Sequence, residues 1–394
     1  MPRPPVARGA LFVTLAIVAF SLSLMIDSPE RQEAAAQGSK AASENLVRNA
    51  SLEDGVLFTP TGWDTTVSGL PTVSFEWAEG EARTGERSLY VFNASDAVAM
   101  WHNWNQTILD VQSFAGKELV LKAWIKTEQI QGKAYLFLQA YSDTITIEAV
   151  RTGTPRQEMR VKMGYKPIED PQTELGWSRK YFSTNVAEWT PIEVSLFIPP
   201  TTNLIMVRAG IFGAGRVWFD DFEMVSRPAA KESQIKPGKN LMVNPGFEQG
   251  LDGWDFSLAP MEGLRIRTSD IAHSGKKSAM MSSQGRPPLQ MLSMYFQVLN
   301  TRQLSGKKVR LSAWLRTEDF QSKAYIRIFG TGTYGDFRPV ASRAIGGTTD
   351  WTLVSTEATF PEDTYVVWAQ AGMDTNVGTI WVDDVSFELV EESN

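Results

Sequence analysis

The chain carries the same domain-sized stretch of sequence twice. "NLVRNASLEDG" begins at Asn45 and "NLMVNPGFEQG" begins at Asn240, and a Gly-Trp pair follows each. Further segments repeat in an unchanged order: "TGERSLYV" and "SGKKSAMM", "GKELVLKAWIKTE" and "GKKVRLSAWLRTE", "KAYLFL" and "KAYIRI", "VWFDDFEMV" and "IWVDDVSFELV". Self-similarity over this length indicates two copies of one structural unit. The sequence therefore predicts repeat units at 44–226 and 239–391.

The segments around the repeats are short and polar. Residues 227–238 are charged and contain two prolines, so we expect an exposed linker there, and residues 27–43 form a similar spacer. The first copy is longer, mainly between Tyr141 and Trp189. We expect this insertion to form an elaborated loop or hairpin over one edge of its domain.

Apolar and polar residues alternate with period two along most segments of both copies. In "LVLKAWIKT", Leu119, Leu121, Ala123 and Ile125 fall on one side, and Lys122, Trp124 and Lys126 fall on the other. Gly, Pro, Asn and Asp separate such runs, and no long helical periodicity follows the N-terminal segment. The fold class predicted is all-β, with two tandem antiparallel β-sandwiches of the jelly-roll type after an N-terminal signal or anchor helix.

The first 26 residues have the pattern of an export segment. Arg3 and Arg8 precede the apolar run "ALFVTLAIVAFSLSLMI" at 10–26. This run is near the lower limit for spanning a bilayer, so a cleaved signal peptide and an uncleaved membrane anchor both stay open. In either case the sequence predicts a secreted or cell-surface protein.

Composition excludes several classes of function. The chain has no cysteine and two histidines, which excludes thiolate metal sites and a multi-histidine zinc site within one chain. A net charge of -7 argues against nucleic acid as the main partner. Neutral, hydroxyl-rich ligands remain compatible with this composition.

Four motifs identify a resemblance: the opening "NPGFE…GW", a small-Gly-x-x-Ser loop, an "AWxRT" strand and the closing "WxDD". Each copy is similar to carbohydrate-binding modules of the family 4, 9 and 22 group, which have a jelly-roll fold of the galactose-binding-like type. The resemblance covers about 44–226 and 239–391 and leaves no room for a catalytic domain. It implies a non-catalytic partner of polysaccharides or oligosaccharides.

Repeated acids stand at corresponding places in the two copies. The set is Glu53, Asp220 and Asp221 in the first copy and Glu248, Asp383 and Asp384 in the second. Adjacent first and last strands would bring each set together near the "TGERS" or "HSGKKS" loop, where carboxylates and loop carbonyls suit Ca²⁺. The resemblance implies one structural calcium ion at this place. The alternative is that the acids cap loops or pair with Lys and Arg, and a glycosidase acid–base pair is a further, weaker interpretation.

Aromatic and polar side chains on the non-core side of the strands are the candidate ligand contacts. Rings that stack on sugar C–H faces, interleaved with groups that bind hydroxyls, suit a glycan. Strand parity selects Trp104, Gln106, Trp124, Tyr135, Tyr141, Arg208, Tyr295, Gln297, Trp314, Tyr325, Arg327, Trp368 and Gln370. The alternative is that these rings pack under the insertion or against the other copy, as in a structural or adhesive surface protein that binds protein or binds itself.

Overall fold

The fold is that of a computed structural model of the chain. The structure describes residues 45–65, 71–94, 101–166, 172–182, 184–229, 234–257, 265–283, 292–300, 302–332, 335–374 and 377–390. The predicted signal or anchor segment and the spacer at 27–43 lie outside these residues.

The first repeat forms two antiparallel sheets and a small hairpin. Its strands are β1 (Gly55–Val56), β2 (Thr59–Pro60), β3 (Asp64–Thr65), β4 (Val73–Glu79), β5 (Arg87–Asn93), β6 (Trp101–Leu109), β7 (Lys117–Glu128), β8 (Lys133–Ser142), β9 (Thr173–Phe182), β10 (Val186–Phe197), β11 (Leu204–Phe212) and β12 (Gly215–Pro228). The strand orders are β10-β7-β12-β5-β4 and β3-β6-β11-β8-β9, and β1 pairs with β2. We call this unit the first sandwich.

The second repeat builds the same two layers. Its strands are β13 (Asp255–Ser257), β14 (Arg265–Ser269), β15 (Ser278–Ser283), β16 (Leu292–Asn300), β17 (Lys308–Gly332), β18 (Gly335–Ala341), β19 (Ile345–Thr359), β20 (Thr364–Asp374) and β21 (Gly378–Leu389). The long strand β17 passes from one layer to the other. Its first half pairs with β19 and β21, and its second half pairs with β20 and β18. We call this unit the second sandwich.

The two sandwiches match strand for strand. The order β19-β17-β21-β15-β14 repeats β10-β7-β12-β5-β4, and β13-β16-β20-β17-β18 repeats β3-β6-β11-β8-β9. The strand pairs that build these layers are antiparallel. The all-β prediction with two antiparallel sandwiches is therefore confirmed.

Each sandwich has its own core between its two layers. The side of β7 that alternation assigned to the interior is buried, with Leu121 and Ile125 fully inaccessible beside Val207 of β11. In the second sandwich, Leu311 of β17 and Ala369 of β20 occupy the equivalent core. Separate cores are what two folding units of this size require.

The insertion of the first copy is more regular than expected. It contains α1 (Thr144–Thr152), α2 (Arg156–Lys162) and β9, where the sequence predicted a loop or hairpin. Asp143 caps α1 by accepting a hydrogen bond from the backbone N–H of Thr146 at 2.9 Å, and Gly153 ends it in the left-handed conformation. Strand β9 then adds to the edge of the layer at β8.

The chain between the sandwiches is fixed at both of its described ends. Strand β12 continues to Pro228, and the backbone N–H groups of Ile235 and Gly238 donate to Gln303 and Leu389 of the second sandwich. Residues 230–233 of the predicted linker are outside the described ranges. Over the ranges that the structure covers, no helix is both long and apolar enough to cross a membrane.

Candidate binding cleft

The repeated acids bracket one loop in the first sandwich. Asp220 Oδ2 accepts from the backbone N–H groups of Arg83 and Thr84, at 2.7 and 3.2 Å. Glu53 Oε1 accepts from the backbone N–H groups of Glu86 and Arg87, each at 3.1 Å. The opening and closing segments of the domain are thereby joined through the "TGERS" loop, at the place where the sequence put these acids.

The second sandwich repeats this arrangement. Asp383 Oδ2 accepts from the backbone N–H groups of His273 and Ser274, at 2.7 and 3.2 Å. Glu248 Oε1 accepts from those of Lys276 and Lys277, at 2.7 and 2.9 Å. These two N–H groups lower the pKa of Glu248.

The second Asp of each "DD" pair lies at a bulge and also faces hydrogen-bond donors. Asp221 and Asp384 have φ of 48° and 46°, a left-handed conformation that Asp tolerates better than most residues. Asp221 accepts from Thr84 Oγ1 at 2.6 Å, and Asp384 accepts from Ser274 Oγ at 2.7 Å. Arg83 adds an ion pair to Asp221 at 2.6 Å.

These acids already have hydrogen-bond donors as partners, which a calcium ion would have to replace. The carboxylate oxygens face N–H and O–H groups, and Ca²⁺ needs six to eight oxygen ligands. Over the described ranges, no three acidic or histidine side chains are grouped so as to hold a metal. The loop-capping interpretation therefore accounts for the six acids, and calcium binding stays a prediction of the family resemblance. Burial raises the pKa of Asp220 to about 6, although its amide hydrogen bonds act in the opposite direction.

A cleft of about 460 Å³ lies between the two sandwiches. We call it the cleft, and three groups of residues line it. The layer β6-β11-β8 of the first sandwich contributes Trp101, Asn103, Tyr135, Phe137, Gln139, Tyr141 and Arg208. The insertion contributes Gln172, Thr173, Glu174, Trp177 and Arg179, and the second sandwich contributes Phe296, Phe329 and Trp368.

Four of the residues selected from the sequence line this cleft. Tyr135, Tyr141 and Arg208 of the first sandwich are 0, 6 and 7% exposed, and Trp368 of the second is 7% exposed. The hydroxyl of Tyr135 donates to Asn103 Oδ1 at 2.8 Å. On β8, β11 and β20, strand parity thus selected the face that lines the cleft.

Three further selected residues lie on the same layer face as Trp368 without lining the cleft. Arg327 is paired with Gln370 across β17 and β20, and its Nε donates to Gln370 Oε1. Tyr325 follows on the same face, and its hydroxyl donates to Asp374 Oδ1 at 3.0 Å. These side chains extend the polar surface of the second sandwich beyond the cleft.

The orientation predicted for Trp104 and Gln106 is wrong. Trp104 belongs to the core of the first sandwich, where its ring meets Phe75 edge-on at 5.9 Å and its indole N–H donates to the carbonyl of Tyr90. Gln106 accepts from the backbone N–H of Arg48 at 2.8 Å and donates to its carbonyl at 3.0 Å. Backbone partners satisfy both side chains, so they can lie on the core side.

The orientation predicted for the equivalent pair in the second sandwich, Tyr295 and Gln297, is also wrong. Tyr295 is fully buried in the core, and its hydroxyl donates to the carbonyl of Met280 at 2.6 Å. Gln297 accepts from the N–H of Val243 at 2.9 Å and donates to its carbonyl at 2.6 Å. The side chain between them, Phe296, points to the cleft instead.

Trp124 and Trp314 lie on the other layer of each sandwich, away from the cleft. The guanidinium of Arg83 stacks over Trp124 at 3.7 Å, and the ring of His273 stacks on Trp314 at 3.8 Å. Each indole thus covers the loop that the repeated acids hold. A ligand in the cleft would therefore not contact Trp124 or Trp314.

Parity reasoning missed several residues of the cleft. Trp101 and Asn103 alternate with the wrongly selected Trp104 on β6, and Trp177 and Arg179 lie on β9 within the insertion. The alternation of Trp177, Arg179 and Tyr181 is visible in the sequence. The insertion is predicted as a loop or hairpin, and strand parity was not applied to it.

Burial determines the electrostatics of the cleft. It lowers the pKa of Arg179 to about 10 and raises the pKa of Tyr141 and of Tyr135. Gln139 is 4% exposed, and within the described part of the chain its buried Oε1 has no hydrogen-bond partner. An acceptor in this state costs about 1–3 kcal/mol relative to a satisfied one.

No protein-family model matches the chain. One curated relative, an uncharacterized HTH-type transcriptional regulator, YbfP, of Bacillus subtilis (strain 168), is 27% identical over 170 residues. The match covers 42% of this chain and 57% of that protein, so the chain spans little more than half of the relative's length.

The solved structures to which the chain is similar include carbohydrate-binding modules. The tandem CBM22-1-CBM22-2 domain of Paenibacillus barcinonensis Xyn10C is 13% identical, with a TM-score of 0.31, over 90% of this chain and 100% of that one. The C-terminal family 22 module of Clostridium thermocellum Xyn10B is 12% identical, with a TM-score of 0.32, over 42% and 99%. A family 16 module is 18% identical, with a TM-score of 0.29, over 38% and 99%.

Proposed function

We propose that this chain binds an oligosaccharide or polysaccharide in the cleft, without catalysing a reaction on it. The observation that carries the proposal is the composition of the cleft, whose lining combines the rings of Tyr135, Tyr141 and Trp101 with the amide of Gln139 and the guanidinium of Arg208. Aromatic faces stack on the C–H side of a sugar, and the amide and guanidinium groups reach its hydroxyls. The apolar run at 10–26 supports export as part of this proposal.

Binding suits the cleft better than hydrolysis does. Glycosidases generally place two carboxyl groups on either side of the scissile bond. Among the residues that the structure places around the cleft, Glu174 is the one carboxylate. Asp255, which contacts the insertion strand, is paired with Arg179.

The test is a glycan array on residues 44–394, followed by titration calorimetry with the best glycan. Gln139→Leu removes the unsatisfied acceptor and keeps much of the volume. We expect the affinity to fall by about 1–3 kcal/mol while the melting temperature is unchanged or raised. Unchanged affinity in this variant would place the glycan outside the cleft.

Gln106→Leu is the matched control on the core side of β6. It loses two hydrogen bonds to the backbone of Arg48, so we expect an earlier melt and normal affinity at temperatures where the protein is folded. Gln139→Leu should therefore lose affinity without losing stability. Gln106→Leu should lose stability without losing affinity.

A structural or adhesive role is the second candidate, and one observation favours it. The aromatic faces of the sandwiches are largely buried against each other, with Phe296 and Trp368 each 7% exposed. If no glycan on the array binds the wild-type protein, these rings serve the docking of the two sandwiches and the adhesive role is preferred.

A further inference from the structure

Contacts from the insertion strand β9 join the two sandwiches, beside a contact of Phe197 with Tyr365 and Arg302 of the second sandwich. The ring of Trp177 stacks on Phe296 of the second sandwich, with centroids 5.8 Å apart and planes 16° from parallel. Two positions further along, Arg179 forms an ion pair with Asp255, and the hydroxyl of Tyr181 donates to the same carboxylate. We call these the β9 contacts, and they lie at one boundary of the cleft.

A hydrogen bond outside β9 strengthens the same junction. Lys133, at the start of β8, donates from Nζ to the carbonyl of Trp254 at 3.1 Å, and its ammonium lies 4.7 Å from the ring of Tyr181. Burial lowers the pKa of Lys133 to about 8. Two elements of the first sandwich thus hold the segment 254–255 of the second.

The β9 contacts bring an aromatic wall over the binding face of the first sandwich. Phe296, Phe329 and Trp368 face the layer that carries Tyr135 and Tyr141, and all five line the cleft. A polysaccharide chain that crosses a sheet face needs that face open at both ends. Here the face is shared with a second protein surface, and about 460 Å³ remains between the two.

We infer that the cleft takes a short oligosaccharide or the end of a glycan chain, held between the two sandwiches, and that the β9 contacts set this length selectivity. The inference rests on the proposed function. Trp177, Arg179 and Asp255 then contribute to specificity only when the two sandwiches are in contact. The inference also assigns Phe296 and Trp368 of the second sandwich to the same site as Tyr141 of the first.

The ion pair is a point at which a single substitution weakens this arrangement. The side chains of Arg179 and Asp255 are 8 and 10% exposed. Removing one member of a buried pair leaves the other charge unpaired, which is strongly unfavourable. Because the two residues belong to different sandwiches, separating the sandwiches rehydrates the remaining charge without unfolding either core.

The experiment compares the wild-type chain with Asp255→Ala. A cysteine at the exposed position of Val161 and another at that of Leu353 allow spin labels to report the distance between the sandwiches, since the natural chain has no cysteine. Binding is measured with xylan, mixed-linkage β-glucan and galactomannan, and with hexasaccharides from each. Glu357→Ala, which removes an exposed ion pair with Arg310 on the other layer, is the control.

In the wild type we expect hexasaccharides to bind and the matching polymer to be retained weakly. In Asp255→Ala the label distances should broaden, hexasaccharide affinity should fall by roughly tenfold or more, and retention of the polymer should rise. Trp177→Ala should likewise lower hexasaccharide affinity and raise polymer retention. Agreement between the two variants would show that the change does not come from misfolding of Asp255→Ala. The control should behave as the wild type does.

Two results would overturn the inference. If label distances broaden but the preference for hexasaccharide over polymer stays as in the wild type, the β9 contacts do not set length and the proposed function still holds. If wild-type protein binds none of these glycans and none on the array, the proposed function fails and the inference fails with it.

Discussion

Gly275 shows why a small-Gly-x-x-Ser loop recurs in both copies. Its φ is +64°, and a Cβ placed on it would lie 2.2 Å from Glu248 Oε1. Gly85 of the first sandwich has the same two properties toward Glu53, with φ of +67° and a distance of 2.3 Å. The glycine lets the backbone turn and lets the carboxylate reach the N–H groups beyond it.

Alanine substitutions at two glycines should separate the cost of positive φ from the cost of displacing Glu248. Gly275→Ala and Gly250→Ala both place alanine at positive φ, which costs about 1–3 kcal/mol each. Gly250 has φ of +70°, and a Cβ placed on it would meet no other group within 4 Å, whereas one on Gly275 meets Glu248. We therefore expect Gly275→Ala to melt at a clearly lower temperature than Gly250→Ala in thermal scans. Equal melting temperatures would mean that Glu248 does not hold this loop.

His102 predicts a pH dependence of stability. It is fully buried, neither ring nitrogen has a hydrogen-bond partner in the described residues, and burial lowers its pKa from 6.5 to about 4. Between these pH values the unfolded chain binds a proton that the folded chain does not. The contribution of neutral His102 is thus present above pH 6.5 and is lost as the pH falls toward 4.

The measurement is the free energy of unfolding of wild type and His102→Leu at neutral and acidic pH. On acidification the wild type should lose up to about 3 kcal/mol more than the variant. The comparison with a variant is needed because Asp220, with its pKa raised to about 6, changes stability in the opposite sense. Parallel pH curves for the two proteins would contradict the assignment.

At the scale of elements, strand β6 shows where sequence parity stops being informative. On β7 one face is core, and the other carries Lys122, Trp124 and Lys126, so alternation located the interior correctly. On β6 both faces are covered, and Trp104 and Asn103 are both buried. Backbone groups of neighbouring segments satisfy the polar atoms of Trp104 and Gln106 on the core face. Those partners are distant in sequence, so the sequence pattern alone did not show them.

Because Trp104 lies in the core of the first sandwich, we expect its truncation to lower stability. Trp104→Ala removes a core ring and should lower the free energy of unfolding of the first sandwich by about 3–5 kcal/mol. Trp124→Ala removes a half-buried ring on the outer layer, where Arg83 stacks on it, and should cost clearly less. Chemical denaturation followed by circular dichroism distinguishes them. A normal transition for Trp104→Ala would restore the ligand-face interpretation.

At the scale of the whole molecule, the repeat predicted two sandwiches but not their docking. Copied segments share a fold because they share core positions, which both sequences display. The contacts between the copies include those of Trp177 and Arg179 in the insertion, and only the first copy has this longer segment. A feature that occurs once cannot be recognised by comparing the copies. The joint cleft therefore emerged from the structure alone.

Residues 239–394 produced alone should fold, because the second sandwich has a complete core and both layers. They should also melt below the second sandwich of the full chain, since isolation exposes Phe296 and Trp368 and leaves Asp255 without Arg179. For a domain of this size, each kcal/mol of lost docking lowers the melting temperature by about 2–4 °C.

Calorimetry of the isolated unit, of the full chain and of full-length Asp255→Ala measures this difference directly. The second-sandwich transition of Asp255→Ala should fall between those of the isolated unit and the full chain, because the variant loses the contacts of Asp255 and keeps the stack of Trp177 on Phe296. An isolated unit that melts as the full chain does would show that docking contributes little free energy. An isolated unit without a cooperative transition would show that the repeats depend on each other to fold.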